Sequence, residues 1–180
     1  MDELTPSWFV HVDWTGAETN RRAVAERFKL AAPIGRGGCA EVWQAHDPST
    51  GKEVAIKVLV SELAREPFQQ AQLRHEARAV SRLAHRHIVR VFDVGTLGPE
   101  VERATDGRLV AGSPFVAMEL VRGGTLLPLV ANARAWPEVR RCLVEILSAL
   151  THAHARGVVH LDIKPSNLLR RGEEIVLTDF

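Results

Sequence analysis

The chain has 180 residues, 46% hydrophobic and 25% charged, an ordinary globular composition that suffices for one domain with a proper core. Its net charge of +1 lacks the basic excess that marks a nucleic-acid partner, so none is expected. Cys39 and Cys142 make neither a disulfide framework nor a zinc spacing. Asp2 and Glu3 argue against a secretory leader and no run is long enough for a membrane span, so a cytoplasmic domain is expected.

Residues 1–27 mix Trp8, Phe9, Val10, Val12 and Trp14 with charge and match no motif; they read as an N-terminal extension whose tryptophans pack on the domain. From Phe28 the pattern alternates up to Ile34-Gly35-Arg36-Gly37-Gly38-Cys39-Ala40-Glu41-Val42, which reads as strand, glycine turn, strand. Glycines let backbone amides approach a phosphate, although a plain tight hairpin gives the same letters. A dinucleotide fingerprint is not met, because a strand and not a helix follows. Glu53 to Val60 is a strongly apolar strand with Lys57 in its middle. A central strand rarely buries a lysine without a partner; the other reading is a lysine snorkelling at a strand edge.

Leu73, Glu76, Ala77, Val80 and Leu83 recur at helical spacing and put Glu76 on the apolar face, where an acid wants a base. Arg78 and Arg82 are short-range alternatives for a solvated Glu76. His85 to Val94 begins as a polar turn and becomes a strand, and its histidines lack metal-ligand spacing. Residues 95–113 read as a long hairpin connection. Ser113 to Leu126 is a buried strand running into the Gly123-Gly124 break, a place for a hinge. Pro137 opens a helix through Val139, Leu143, Ile146, Leu147, Leu150 and His154 that stops at Gly157.

The densest chemistry follows, in Val159-His160-Leu161-Asp162-Ile163-Lys164-Pro165-Ser166-Asn167-Leu168. Asp162 can accept a proton from a hydroxyl, Lys164 can hold a phosphate as a point charge, and Asn167 can offer an amide oxygen to a hard cation such as Mg²⁺. Leu168 and Leu169 then lead through a turn to the apolar strand Ile175-Val176-Leu177, after which comes Asp179.

The stretch from His160 to Asn167 resembles the catalytic loop of the protein kinases, with Leu161 where an Arg usually stands. Val54-Ala55-Ile56-Lys57 is similar to the family's third-strand motif. Gly35, Gly37 and Val42 fit its glycine loop with Ala40 in place of the third glycine, and Asp179-Phe180 resembles the start of D-F-G. Lys164 is the Ser/Thr form of the loop, and the chain is identified as a member of the bacterial-type serine/threonine protein kinases. Aminoglycoside-type phosphotransferases share the fold but usually carry no lysine there.

The resemblance implies an α+β fold: an antiparallel-sheet N-lobe with helix C, then the beginning of a helical C-lobe. Its bounds would be 1–27 for the extension, 28–121 for the N-lobe and hinge, and 122–180 for a partial C-lobe. It implies ATP and Mg²⁺, and a protein substrate presenting Ser or Thr. Asp162, Lys164, Lys57 and Glu76 would be catalytic, with Glu76 holding Lys57. Ile34, Gly35, Gly37, Gly38, Val42, Ala55, Lys57, Met118, Glu119, Val121 and Leu169 would bind the nucleotide, and Asn167 and Asp179 the metal. The letters stop at Phe180, before the motif's glycine. The reading is therefore of a C-terminally incomplete kinase whose Pro137 helix has an uncovered apolar face. The alternative is a non-catalytic ATP-binding or partner-binding remnant.

Overall fold

A computed structural model describes residues 27–130 and 135–180; the expected packing of Trp8 and Trp14 lies outside the described residues. Five strands form one antiparallel sheet in the order β1-β2-β3-β5-β4. They are β1 (Lys29–Arg36), β2 (Ala40–Asp47), β3 (Lys52–Leu59), β4 (Val91–Thr96) and β5 (Pro114–Glu119). The sheet and helix arrangement is the expected N-lobe.

Period-two alternation gives this sheet two working faces. On one, Val42, Ala55, Leu59, Val116 and Met118 join Leu73 and Ala77 of α1 (Pro67–Val80) and Leu169 and Val176 from farther along the chain. On the other, Trp43, Ala45, Val54, Ile56, Val58, Phe115 and Ala117 pack with Phe28. That face is covered by Leu97, Val101 and Leu109, all from the stretch read as a hairpin connection. The connection contains a helix that the sequence reading did not expect, α2 (Pro99–Ala104), with Gly98 before it, Pro99 at its start and Glu100 and Glu102 in its first turn. These are ordinary helix-start signals. They went unread because the helix is only six residues long and is crowded by glycines.

After β5 the chain passes α3 (Leu127–Val130) and enters α4 (Trp136–His154), a one-turn 3₁₀ helix (Pro165–Asn167), β6 (Leu168–Arg171) and β7 (Glu174–Leu177). A third core unites Ala149 and Ala153 of α4 with Leu168, Ile175 and Leu177 of the β6–β7 ribbon and with Val80, Leu83 and Ile88. The segment between α1 and β4 bridges the layers. Val89 N–H donates to the Leu177 carbonyl at 3.0 Å and Leu177 N–H to the His87 carbonyl at 2.9 Å. The far side of α4 leaves Trp136, Leu143, Val144 and Leu147 exposed, as the apolar pattern of the Pro137 helix led us to expect. No helix among the described residues is long and apolar enough to cross a membrane.

The Gly123-Gly124 break is fastened to the β6–β7 ribbon through backbone. Arg170 N–H donates to the Gly124 carbonyl at 3.0 Å and Leu126 N–H to the Leu168 carbonyl at 2.8 Å. Gly123 lies so close to this ribbon that a Cβ there would sit 2.1 Å from the Arg170 carbonyl oxygen, whereas a Cβ on Gly38 would meet nothing within 4 Å. Gly123→Ala is therefore expected to lower unfolding free energy by about 1–3 kcal/mol, as overpacking against backbone does. Gly38→Ala should change it by about 0.5 kcal/mol or less, and urea denaturation of the two variants checks the contrast.

Candidate active site

The candidate catalytic loop is built on a reversal at Leu161. This residue has φ +60, a left-handed conformation that costs a leucine roughly 1–2 kcal/mol. The turn sends its neighbours in opposite directions. His160 goes inward and is buried; Leu161 itself is 91% exposed. His160 Nε2 meets the Thr178 carbonyl at 2.7 Å, and Asp162 N–H donates to His160 Nδ1 at 3.3 Å. With Nδ1 accepting, the tautomer carries its proton on Nε2, which donates to Thr178. Burial pushes the imidazole below its ordinary pKa, in keeping with a neutral ring. The Phe180 ring lies against it, 4.6 Å between centroids.

Asn167 closes the loop from the other end. It is fully buried, and its Nδ2 donates to the Asp162 carbonyl at 2.9 Å and to Asp162 Oδ2 at 3.1 Å. The Thr178 N–H donates to the Asn167 carbonyl at 3.1 Å. Lys164 Nζ stands 2.7 Å from Asp162 Oδ2. The Lys164 hydrogen bond leads in holding the Asp162 carboxyl below the usual carboxylate range, with Asn167 adding to it. Asp162 is thus an oriented carboxylate at neutral pH.

A cavity of about 600 Å³ is lined by Lys57, Glu76, Asp162 and Asp179 together with His75, Val159, His160 and Phe180. The structure therefore brings the two expected halves of the site together. One expectation is corrected. Lys57 Nζ pairs with Asp179 Oδ1 at 3.0 Å, both side chains being nearly buried, while Glu76 accepts a hydrogen bond from Gln72 Nε2, one turn earlier on α1, at 3.1 Å. Asp179 has φ +59, so its carboxylate meets the ammonium from the end of β7, and the expected Lys57–Glu76 pair is not formed.

The nucleotide-binding candidates fall into two groups. Val42, Ala55, Met118, Val121 and Leu169 share one core, and in register Val42 lies opposite Lys57 and Ala55 opposite Met118. Ile34 and Gly35 lie near the end of β1, Gly35 opposite Val42, and Gly37 and Gly38 make the β1–β2 turn, where Gly37 N–H donates to the Ala40 carbonyl at 2.8 Å. Glu119 N–H is committed to the Arg90 carbonyl at 2.8 Å. The Glu119 carboxylate pairs with Arg171 at 2.8 Å. Sequence reasoning passed over Thr178, whose backbone serves both His160 and Asn167. Backbone acceptors carry no side-chain signal.

As for Mg²⁺, Asp179 Oδ2 is buried without a hydrogen-bond partner among the described residues. An orphaned carboxylate oxygen and the side-chain oxygen of Asn167 are the hard donors this ion takes, so the residues fit it.

Because the buried His160 imidazole has its pKa depressed, the unfolded chain binds its proton first. Stability from this group is complete above the unfolded value of about 6.5 and is lost as pH falls from there through the folded pKa. Burial shifts His85 and His152 the same way. The urea midpoint should drop between pH 7.5 and 5, and His160→Asn should shrink that drop; an unchanged slope would count against the neutral tautomer.

The family description "Protein kinase domain" matches residues 28–180. The chain is 39% identical over 162 residues to "Probable serine/threonine-protein kinase SCO3848" of Streptomyces coelicolor, covering 88% of this chain and 23% of that protein. It is 38% identical over 148 residues to "Probable serine/threonine-protein kinase PknB" of Corynebacterium glutamicum, covering 81% and 22%. It is 36% identical over 159 residues to "Serine/threonine-protein kinase pkn3" of Myxococcus xanthus, covering 84% and 26%. The chain thus spans about a quarter of the length of these curated relatives. With its five-stranded antiparallel sheet, helix α1 and catalytic-loop geometry, the chain belongs to the protein kinase domain family.

Proposed function

We propose that the intact protein transfers the γ-phosphoryl group of ATP to serine or threonine hydroxyls of a protein substrate in the cytoplasm. Residues 28–121 would serve as N-lobe and hinge and 122–180 as the first part of the C-lobe. The observation that carries the reading is the closed loop of Asp162, Lys164 and Asn167, whose Asp162 lines the same cavity as Lys57 and Asp179.

Phosphoryl transfer of this kind asks a protein mainly to position and to neutralise. Asp162, ionised through its contact with Lys164, accepts the hydrogen bond of the substrate hydroxyl and takes its proton as the new P–O bond forms. Lys164 offers its charge to the γ-phosphate and Lys57 to the α- and β-phosphates. The amides from Gly35 to Ala40 cover the triphosphate, with no side chain at Gly38 to obstruct approach. Val42, Ala55 and Leu169 take the adenine faces, with Met118 behind and the backbone of Glu119 and Val121 at its edge. Mg²⁺, held by Asn167 and Asp179, would neutralise phosphate charge. For Lys57 to be steadied by Glu76, its contact with Asp179 has to loosen, which release of Asp179 toward the metal would permit.

In the intact protein, Asp162→Asn should lower the rate of substrate phosphorylation by about 10²–10⁴-fold and leave ATP affinity nearly unchanged. Transfer that survives the substitution would remove Asp162 from the base role, and nucleotide binding without any transfer by the wild-type protein would place it among non-catalytic nucleotide binders. Leu161 presents an exposed apolar side chain where a guanidinium would pair with a phosphate. Phosphatase treatment of the intact protein is therefore expected to leave its activity unaltered, as measured by radiolabel transfer before and after treatment.

A further inference from the structure

Glu41 is the most deeply buried acid in the sheet, 2% exposed, and nothing in the reaction accounts for it. It lies on β2 between Val42, which faces the nucleotide side, and Ala40 at the glycine turn. Three donors converge on its carboxylate. Arg36 Nη1, from the end of β1 at the glycine turn, approaches Oε1 at 3.1 Å. Arg108 Nε, from the connection between β4 and β5, approaches Oε2 at 3.0 Å, and Trp43 Nε1 donates to the same oxygen at 3.2 Å. The Arg108 guanidinium also lies over the Trp43 ring, 5.1 Å from its centroid. A carboxylate taken this far out of water is retained only when its oxygens are satisfied by charge and hydrogen bonds.

The two arginines come from segments far apart in the chain. Arg36 is the last residue of β1, at the edge of the glycine turn and opposite Glu41 in the ladder, and Arg108 belongs to the connection whose Leu97, Val101 and Leu109 cover the outer face of the sheet. Glu102 of the same connection takes Arg65 at 3.0 Å and the Ala111 N–H at 3.1 Å, which stiffens the stretch that presents Arg108. The carbonyl of Cys39, at the tip of the turn, accepts from Val60 N–H at 3.1 Å. The turn is therefore restrained on both sides.

We infer that Glu41 and Arg108 are positioning residues: the β4–β5 connection braces the glycine turn through the Arg108–Glu41–Arg36 bridge and sets the pose in which its amides receive the nucleotide phosphates. The phosphate half of this statement rests on the function proposed above; the brace does not. A guanidinium is suited to the role because its Nε bonds the carboxylate while its plane lies over Trp43, which a lysine ammonium reproduces only in charge.

The test uses the chain of residues 1–180 as wild type, Arg108→Ala, Arg108→Lys and Phe115→Ala, the last loosening the same sheet without touching the carboxylate. Amide hydrogen exchange is read at Gly37 and Val60, and affinity is read with a fluorescent ATP analogue and Mg²⁺. Arg108→Ala should speed exchange at those two amides and weaken the analogue by about tenfold, the order expected from losing one charge-assisted hydrogen bond. Exchange in β4 and β5 should hold, and Arg108→Lys should restore part of both effects. Unchanged exchange at Gly37 and Val60 would overturn the inference, as would a rise spread evenly over the sheet in the manner of Phe115→Ala. If wild type binds no analogue, the nucleotide reading fails while the exchange arm still decides whether the brace exists. Should Arg108→Ala not fold, Arg108→Lys and its exchange pattern decide alone.

Discussion

The buried imidazole of His160 is the fastening on which the candidate site depends. Its two nitrogens do different work: Nε2 holds the Thr178 carbonyl at 2.7 Å and Nδ1 receives the Asp162 amide at 3.3 Å. The strand end that carries Asp179 and the loop that carries Asp162 are thereby kept in one frame. A protonated ring would lose the acceptor and set a second donor against the Asp162 N–H, so burial and hydrogen bonding both demand the neutral form. The left-handed backbone at Leu161 is the local cost of sending His160 inward and Asp162 outward from the two positions that flank it.

The second constraint is the ammonium of Lys57. Placed in the middle of a central strand, it has to be matched by an anion close at hand, and two candidates line the same cavity. Asp179 holds it here and Glu76 does not. The arrangement described is therefore one in which the lysine and the Asp179 carboxylate neutralise each other. Nucleotide and metal would compete for both groups, and α1 could present Glu76 only once Lys57 is free to turn.

Much of this was legible in the letters, for identifiable reasons. Lys57 stood out because a lone charge in an apolar strand is costly, and Asp162 with Asn167 because an acid and an amide so close together exceed what a loop needs. The strand pattern on both sides of the glycine turn gave β1, β2 and β3, and the three- and four-residue spacing of Leu73, Ala77 and Val80 gave α1. What could not be read depended on distance in space. The choice of Lys57 between two carboxylates is set by where β7 ends, and the service of Thr178 is a backbone matter. Helix α2 was hidden because Gly98, Gly107 and Gly112 dominate its stretch, and its burial against Trp43 and Phe115 could not be foreseen from a sequence that looks like loop.

The uncovered side of α4 has a colloidal consequence. Trp136, Leu143, Val144 and Leu147 form an apolar stripe open to water, and the chain carries a net charge of only +1. Long-range repulsion between molecules is then almost nil, and adding a salting-out anion such as sulfate would strengthen contact between stripes instead of relieving it. The polypeptide is best kept dilute and at a pH away from neutrality toward the alkaline side, past its isoelectric point near 7.9, where mutual charge returns without protonating the histidines that hold the loop.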